Sequence, residues 1–255
     1  MYAEERQQAI AELVAVRGRL SVAELSASHD VTTETIRRDL SALERLGLVR
    51  RVHGGAVPAD ALMNVEFALS ERDQSNTAAK ERIAAAAVGC LPPSGSSVLL
   101  DAGTSTAHLA TAIPRDLKLQ VYTHAVPISS RLATHPGVDL HVLPGRVRRT
   151  TQAAVGSETV AALDRLRVDV AFVGTNALSL AHGLSTPDSD EAATKRAIIA
   201  AARRVVVLAD ASKFGEESVE RFATLDQIDL LITDDSLVPD DRGALERAGV
   251  EVLIA

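Results

Sequence analysis

The sequence predicts an α/β protein in two parts, a small helical unit ending in a basic hairpin and a larger domain of alternating strands and helices. Three observations predict it. Short amphipathic segments with cap residues fill the chain up to Gly47, apolar β-branched runs recur from residue 97 onward with helical segments between most of them, and charge is divided unevenly between the two stretches. At 255 residues, with 46% hydrophobic and 24% charged residues, the chain can bury a core and has a globular composition, which excludes a disordered or fibrous protein.

Segment 4–17, EERQQAIAELVAVR, spaces Ile10, Leu13 and Val14 along one helical face and stops at Gly18. Ser21 caps a second helix with Glu24 as its capping-box partner, and Val22, Leu25 and Ala27 give it a short apolar face before His29 and Asp30 break the pattern. Thr32 caps a third helix, in which Ile36, Leu40, Leu43 and Leu46 form one stripe and Thr33, Glu34, Arg37 and Arg38 the opposite face. After Gly47, LVRRVHGGAV reads as a strand and a tight turn at Gly54 and Gly55. Residues 58–80 are expected to be a linker, leading into an alanine-rich helix from Lys80 to Cys90. Strands are expected at 97–101, 119–123, 138–144, 168–174, 204–210, 229–234 and 250–255. Such alternation implies a mostly parallel sheet covered on both faces. The expected domains are therefore 1–57 and 81–255, joined by 58–80.

Charge separates the two parts. Residues 1–57 hold eight arginines against eight acids, so the whole net charge of −7 falls in 58–255. Arg37, Arg38, Arg50, Arg51 and His53 lie close together in sequence, and 48–57 carries no acid, as a phosphate-facing patch requires; a solvated helix face has the same appearance. The lone Cys90 excludes an internal disulfide and any zinc site built on two thiolates, and no metal or cofactor is expected. No apolar run reaches the roughly 18 to 20 residues of a membrane helix, and Glu4, Glu5 and Arg6 stand where a signal peptide would turn apolar, so the expected location is the cytoplasm. Six aromatic residues are too few for a base-stacking platform, which argues against single-stranded nucleic acid.

Three short helices and a basic hairpin form the layout of a winged helix-turn-helix, whose third helix enters the major groove of double-stranded DNA while the wing follows phosphate. A small helical docking domain shares that outline. Residues Val31 to Val57, VTTETIRRDLSALERLGLVRRVHGGAV, resemble the helix-turn-helix and wing of the DeoR family of bacterial repressors: a hydroxyl cap, T-I-R-R-D-L, a leucine three residues on, a glycine, then R-x-H-G-G. The resemblance implies that Thr33, Thr35, Arg37 and Arg38 face an operator with Arg51, His53 and Gly54 on the wing, while Asp39 orients arginines or the neighbouring helix.

Ligands of open parallel sheets bind beyond the carboxyl ends of the strands. The residues there are polar: DAGTST (101–106), Thr123 and His124, PGRVR (144–148), GTN (174–176) and DASKF (210–214), which implies one convergent pocket. In DAGTST a glycine and hydroxyl residues open a helix, so backbone N–H groups and the positive helix end can meet a phosphate; an ordinary strand-to-helix turn capped by Thr104 or Ser105 reads the same way. Lys195 and Lys213 stand at pocket positions where an ammonium neutralises a phosphate dianion, although Lys195 also suits a solvated helix position beside Glu191. Arg146 and Arg148 on their loop need no ligand.

DAGTST, GTNALSLAHGLSTPDSDEAATKRAI and ADASKFG resemble the sensor domain of the same DeoR family, which shares its fold with ribose-5-phosphate isomerase and glucosamine-6-phosphate deaminase. The resemblance implies a phosphorylated sugar held by Asp101, Gly103, Thr104, Ser105, Thr106, Thr123, His124, Asn176, Lys195 and Lys213. Two departures stand out: LPGRVR has one glycine where the family often has two, and Thr123-His124-Ala125 replaces T-N-S. GLSTPDSDEAATKRA and PGRVRRTTQAAVG are similar to segments of actinobacterial fructose-operon repressors, which implies fructose 1-phosphate. One DNA-binding head makes a small contact, so a homo-oligomer on paired half-sites is expected. The rival reading is a sugar-phosphate isomerase or deaminase with an added helix-turn-helix. That enzyme needs an acid and a base, and by the same resemblance GTNALSLAHG lacks the acidic and histidine residues that the deaminase family places there, with an asparagine, Asn176, in place of an aspartate, leaving Asp101, His182, Asp188 and Asp190 as the remaining candidates. An interaction adaptor leaves the DAGTST loop without a role.

Overall fold

The computed structural model describes residues 3–18, 20–52, 54–58 and 69–255, apart from the side chains of Arg51, Val52 and Ser70. The chain divides into two compact units, Met1–Leu62 and Met63–Ala255.

In the first unit α1 (Ala3–Arg17), β1 (Leu20–Ser21), α2 (Val22–His29), α3 (Thr33–Arg45), β2 (Val49–Val52) and β3 (Gly55–Pro58) follow in order. The Ser21–Glu24 capping box and the Thr32 cap form as their sequences require. Ile10, Val14, Leu25, Ile36, Leu40 and Leu43 close the core between the three helices. Leu46 does not join the stripe and is 67% exposed, because α3 ends at Arg45 and the chain swings away through Leu46 into the left-handed turn at Gly47. Ala27 is exposed as well. β1 adds a third strand to the hairpin, giving the order β1-β3-β2. That strand explains the glycine pair: Gly54 turns at φ +75°, and a Cβ on Gly55 would stand 2.1 Å from the Leu20 carbonyl oxygen.

The second unit opens with α4 (Leu69–Gln74), which lies within the expected linker, and α5 (Thr77–Val88). Then come β4 (Ser97–Leu100), α6 (Thr104–Ala112), β5 (Leu119–Thr123), α7 (Val126–Leu132), β6 (Val138–Val142), β7 (Arg146–Val147), β8 (Ala154–Val155), α8 (Ser157–Leu163) and β9 (Val168–Gly174). β10 (Ala177–Ser179), β11 (Gly183–Thr186), α9 (Ser189–Ala201), β12 (Ala202–Leu208), β13 (Glu220–Ala223), β14 (Leu230–Thr233), α10 (Pro239–Arg247) and β15 (Glu251–Ile254) complete it.

All seven expected strands form one parallel sheet, in the order β15-β14-β12-β9-β4-β5-β6. Their alternating residues feed two cores. Val98, Leu100, Val121 and Phe172 meet Ile83, Leu109 and Ile128 of α5, α6 and α7 on one face. Leu99, Ala171, Val173 and Val207 meet Leu163, Ile198 and Leu245 of α8, α9 and α10 on the other. Two small antiparallel additions, β7-β8 and β10-β11-β13, were not expected; strands of two to four residues are too short to show a period in the sequence.

Candidate functional site

Helix α3 sorts its polar residues by face. Thr33, Glu34, Arg37 and Arg38 are exposed, and Glu34 lies 3.4 Å from Arg37 and 3.8 Å from Arg38. Such exposed pairs contribute little, so both guanidinium groups remain available to a stronger anion. The Thr35 hydroxyl lies 2.9 Å from that of Thr32, and its N–H donates to the same oxygen at 3.2 Å, which ties Thr35 to the cap. On the opposite face Asp39 is buried. It accepts from Arg6 Nε at 2.6 Å and Nη2 at 3.3 Å and from Gln7 Nε2 at 2.9 Å, anchoring α3 to α1. In the wing, the Arg51 backbone pairs with Ala56 and Gly54 is exposed, while His53 and the Arg51 side chain lie outside the described residues.

In the second unit the chain steps from β4 to β5 and β6 in one direction and from β9 to β12, β14 and β15 in the other. The crevice between the carboxyl ends of β4 and β9 is therefore the topological switch point. Asp101, the residue after β4, is fully buried there. Its Oδ2 accepts from the Gly174 N–H at 2.9 Å and from the Lys195 ammonium, which also donates to the Gly174 carbonyl at 2.8 Å and lies 5.2 Å from the centre of the Phe222 ring. Lys195 is thus a buried partner of Asp101, not a solvated residue of α9.

His124 Nδ1 sits 2.7 Å from the Ala154 carbonyl, so that nitrogen carries a proton. Its Nε2 is 3.1 Å from both the Ala102 N–H and Asp101 Oδ1. The neutral ring accepts from Ala102; the imidazolium donates to Asp101. Burial pushes the Asp101 carboxyl up, but the charge of Lys195 and the contact with His124 outweigh it and bring the carboxyl down to about 2.

A second charged group adjoins this one. Glu191 is buried and lies 2.8 Å from Arg148, which also reaches Asp188 at 3.1 Å. Against the upward push of burial, Lys195 and Arg148 hold the Glu191 carboxyl below its ordinary range. Thr186 Oγ1 lies 3.2 Å from Asn176 Oδ1 and 3.3 Å from Glu191 Oε2, which brings Asn176 to the same network.

The remaining expected residues divide by role. Thr123 donates to the Leu100 carbonyl at 2.8 Å and Thr106 to that of Gly103 at 3.0 Å, so both hydroxyls hold the loops themselves. Ser105 is buried in the first turn of α6. Gly103 and Thr104 line a cavity of about 230 Å³ together with Ile128 and Arg131 of α7, Thr151 and Gln152, and Leu69 and Asp73 of α4. Arg131 donates to the Ala107 carbonyl at 3.0 Å. Lys80, buried in α5, donates to the carbonyls of Arg72 and Ser75 and so secures the end of α4; burial lowers its ammonium to about 8. Asp210 and Ser212 instead border another cleft, of about 540 Å³, with Asn76, Thr77 and Asp234. Lys213 has Asp210, Arg72 and Glu216 as charged neighbours, and its ammonium is lowered chiefly by burial. Among the described residues, the DAGTST loop thus borders the first cavity and the DASKF loop the second, so these two loops do not share the single expected pocket.

Arg131, Thr151 and Gln152 were not anticipated. Arg131 reads as an ordinary last-turn cation of α7, and only the packing of α7 against α6 turns it toward Thr104. Gln152 holds a left-handed φ of +53°, which no residue pattern announces.

A winged helix-turn-helix joined to a doubly wound domain with a ligand-sized cavity near its switch point defines the class of ligand-responsive DNA-binding regulators. Residues 6–61 match the DeoR-like helix-turn-helix domain and residues 75–235 the DeoR C terminal sensor domain. The chain belongs to the DeoR family of transcriptional regulators. It is 39% identical to the HTH-type transcriptional regulator GlpR of Haloferax volcanii, over 98% of this chain and 96% of that one. It is 34% identical to the putative aga operon transcriptional repressor of Escherichia coli O157:H7, over 98% and 93%. Both relatives are named as regulators, not enzymes. Among solved structures, ribose 5-phosphate isomerase A of Methanocaldococcus jannaschii aligns over 55% of each chain at 18% identity with a TM-score of 0.41.

Proposed function

We propose that this protein represses a sugar-utilisation operon and that a phosphorylated sugar, fructose 1-phosphate as the leading candidate, relieves the repression. Residues 1–57 read the operator, 58–80 connect and lend α4 to the cavity wall, and 81–255 sense the sugar. The observation that carries the reading is the sorting of charge on α3, where Arg37 and Arg38 stand outward while Asp39 is locked to α1 behind them. Groove contacts fall to Thr33, Arg37 and Arg38, with Thr35 at the helix entry and Arg51, His53 and Gly54 along the wing.

The α6 N-terminus, Thr104 and Arg131 offer the cavity N–H groups, a hydroxyl and a cation suited to a phosphate. Asp101, Lys195 and His124 form a buried polar cluster at the loop that leads into Gly103 and Thr104, and Asn176 joins it through Thr186 and Glu191. α4 contributes Leu69 and Asp73 to the wall and is the first described helix after the DNA-reading unit, so an occupied cavity acts on the segment that carries the head. The isomerase reading is not favoured, because the relatives that match nearly the whole chain are named as transcriptional regulators. No helix among the described residues is long and apolar enough to cross a membrane, in keeping with a protein that works beside DNA in the cytoplasm.

The test is thermal stabilisation across a panel of sugar phosphates and their unphosphorylated parents, followed by operator titration. Fructose 1-phosphate should stabilise the protein and fructose should not, and the sugar phosphate should weaken operator binding by the factor that operator weakens it. Absence of a shift with every sugar phosphate would refute the sensor reading, and unchanged operator binding by Arg37→Ala would refute the assignment of α3.

A further inference from the structure

Among the described residues β6 is an edge strand, hydrogen-bonded to β5 on one side only. The Leu119 N–H donates to the Gly137 carbonyl and the Leu143 N–H to the Thr123 carbonyl, both at 2.9 Å. Residues 137, 139, 141 and 143 therefore turn their main chain toward β5, and Leu140 and Val142 aim theirs outward. The Val138 N–H donates to His135 at 3.2 Å, which leaves its carbonyl on the outer edge. An open edge of this kind is a template for another strand, and proteins blunt it with proline, lysine or a bulge. Val138–Val142 has no proline or lysine and keeps an unbroken register with β5.

The strand reads V-D-L-H-V, which is chemically symmetric about Leu140. If two copies pair antiparallel across Leu140, each Leu140 exchanges both main-chain bonds with its mate and each Val142 N–H reaches the partner's Val138 carbonyl. The same register sets Asp139 opposite the partner's His141 on both sides of the axis, a donor facing a carboxylate each time. Asp139 and His141 already share a face: His141 Nε2 lies 3.5 Å from Asp139 Oδ2, and the imidazole stacks on Tyr122 at 4.5 Å between ring centres.

Apolar surface gathers at one end of this edge. Val142, opposite Thr123, is 59% exposed; Val126, three residues beyond Thr123, is 44% exposed; and Val147, joined through Ala154 and Ala153 to Ala125, is 47% exposed. One exposed valine is unremarkable, but here three stand on or near the carboxyl end of the edge strand and the segments that follow β5 and β6.

We propose that β6 is the surface through which two copies of this chain join, their sheets continuing across a two-fold axis at Leu140. The pairing does not depend on the identity of any effector. The test is sedimentation equilibrium on the full chain, with thermal melts to verify folding. His141→Asp sets carboxylates against carboxylates and should halve the particle mass or raise the dissociation constant by about tenfold or more. Asp139→Lys with His141→Asp reverses the polarity of both contacts and should restore the wild-type mass. Hydrogen exchange provides a second readout, because the Leu140 and Val142 amides should be protected in the wild type and open in His141→Asp. A monomeric wild type, an oligomer that His141→Asp leaves intact, or a double variant that melts normally without reassociating would each overturn the proposal.

Discussion

The two units place their charges in opposite ways. In the first, Arg37, Arg38 and Glu34 lie on the outside of α3 in weak pairs, and a buried pair, Arg6 with Asp39, holds the helix in position. In the second, the charges at the ends of the strands turn inward, Asp101 against Lys195 and Glu191 against Arg148. A surface that meets a polyanion needs uncommitted cations, whose attraction is collected by releasing counterions. A small cavity needs charges fixed in advance, because its ligand cannot supply the energy to rearrange them. The first arrangement is sensitive to salt and tolerant of single losses; the second is the reverse.

The largest effect should come from breaking the inward arrangement. Lys195→Met leaves Asp101 ionised and without its cation in a closed site, at a cost of about 3 to 5 kcal/mol in a urea melt, and Asp101→Asn added to it should recover part of the loss. Acid probes the same pair. Because the carboxyl of Asp101 lies at about 2 when folded against an ordinary 3.8, its contribution is complete above 3.8 and is lost as pH falls toward 2. Acid melts should show a loss of stability across that window in the wild type and a flatter profile in the double variant.

In the first unit, Asp39→Ala should cost about 2 kcal/mol and loosen α3 from α1, so operator affinity falls even though Asp39 does not face the groove. The smallest change in stability should accompany Arg37→Ala, within about 0.5 kcal/mol, while operator binding weakens by about 1 to 3 kcal/mol and its salt slope becomes shallower. A large stability loss in Arg37→Ala, or none in Lys195→Met, would reverse the comparison.

Much of the architecture was legible because it depends on local rules. The caps at Ser21 and Thr32 and the seven β-branched runs each act within a few residues, and all appear close to where the sequence predicts them. Leu46 shows the limit of such rules, since a stripe says nothing about where the chain leaves the helix. The candidate site was half legible. Polar residues after parallel strands point to the sheet end, yet Asp101, Lys195 and Glu191 are far apart in sequence, and nothing local says that they neutralise one another.

By itself the sequence determined the three short helices and the hairpin, the seven strands of the parallel sheet and the segregation of net charge, because periodicity, caps and composition are written residue by residue. The tertiary structure alone decided that Lys195 belongs to Asp101, that Arg131 and α4 wall the cavity, that the DAGTST and DASKF loops border different cavities, and that β6 has an open edge among the described residues. Those outcomes depend on which distant segments meet in a low-dielectric interior, where a charge must find a partner and an unpaired strand must end somewhere.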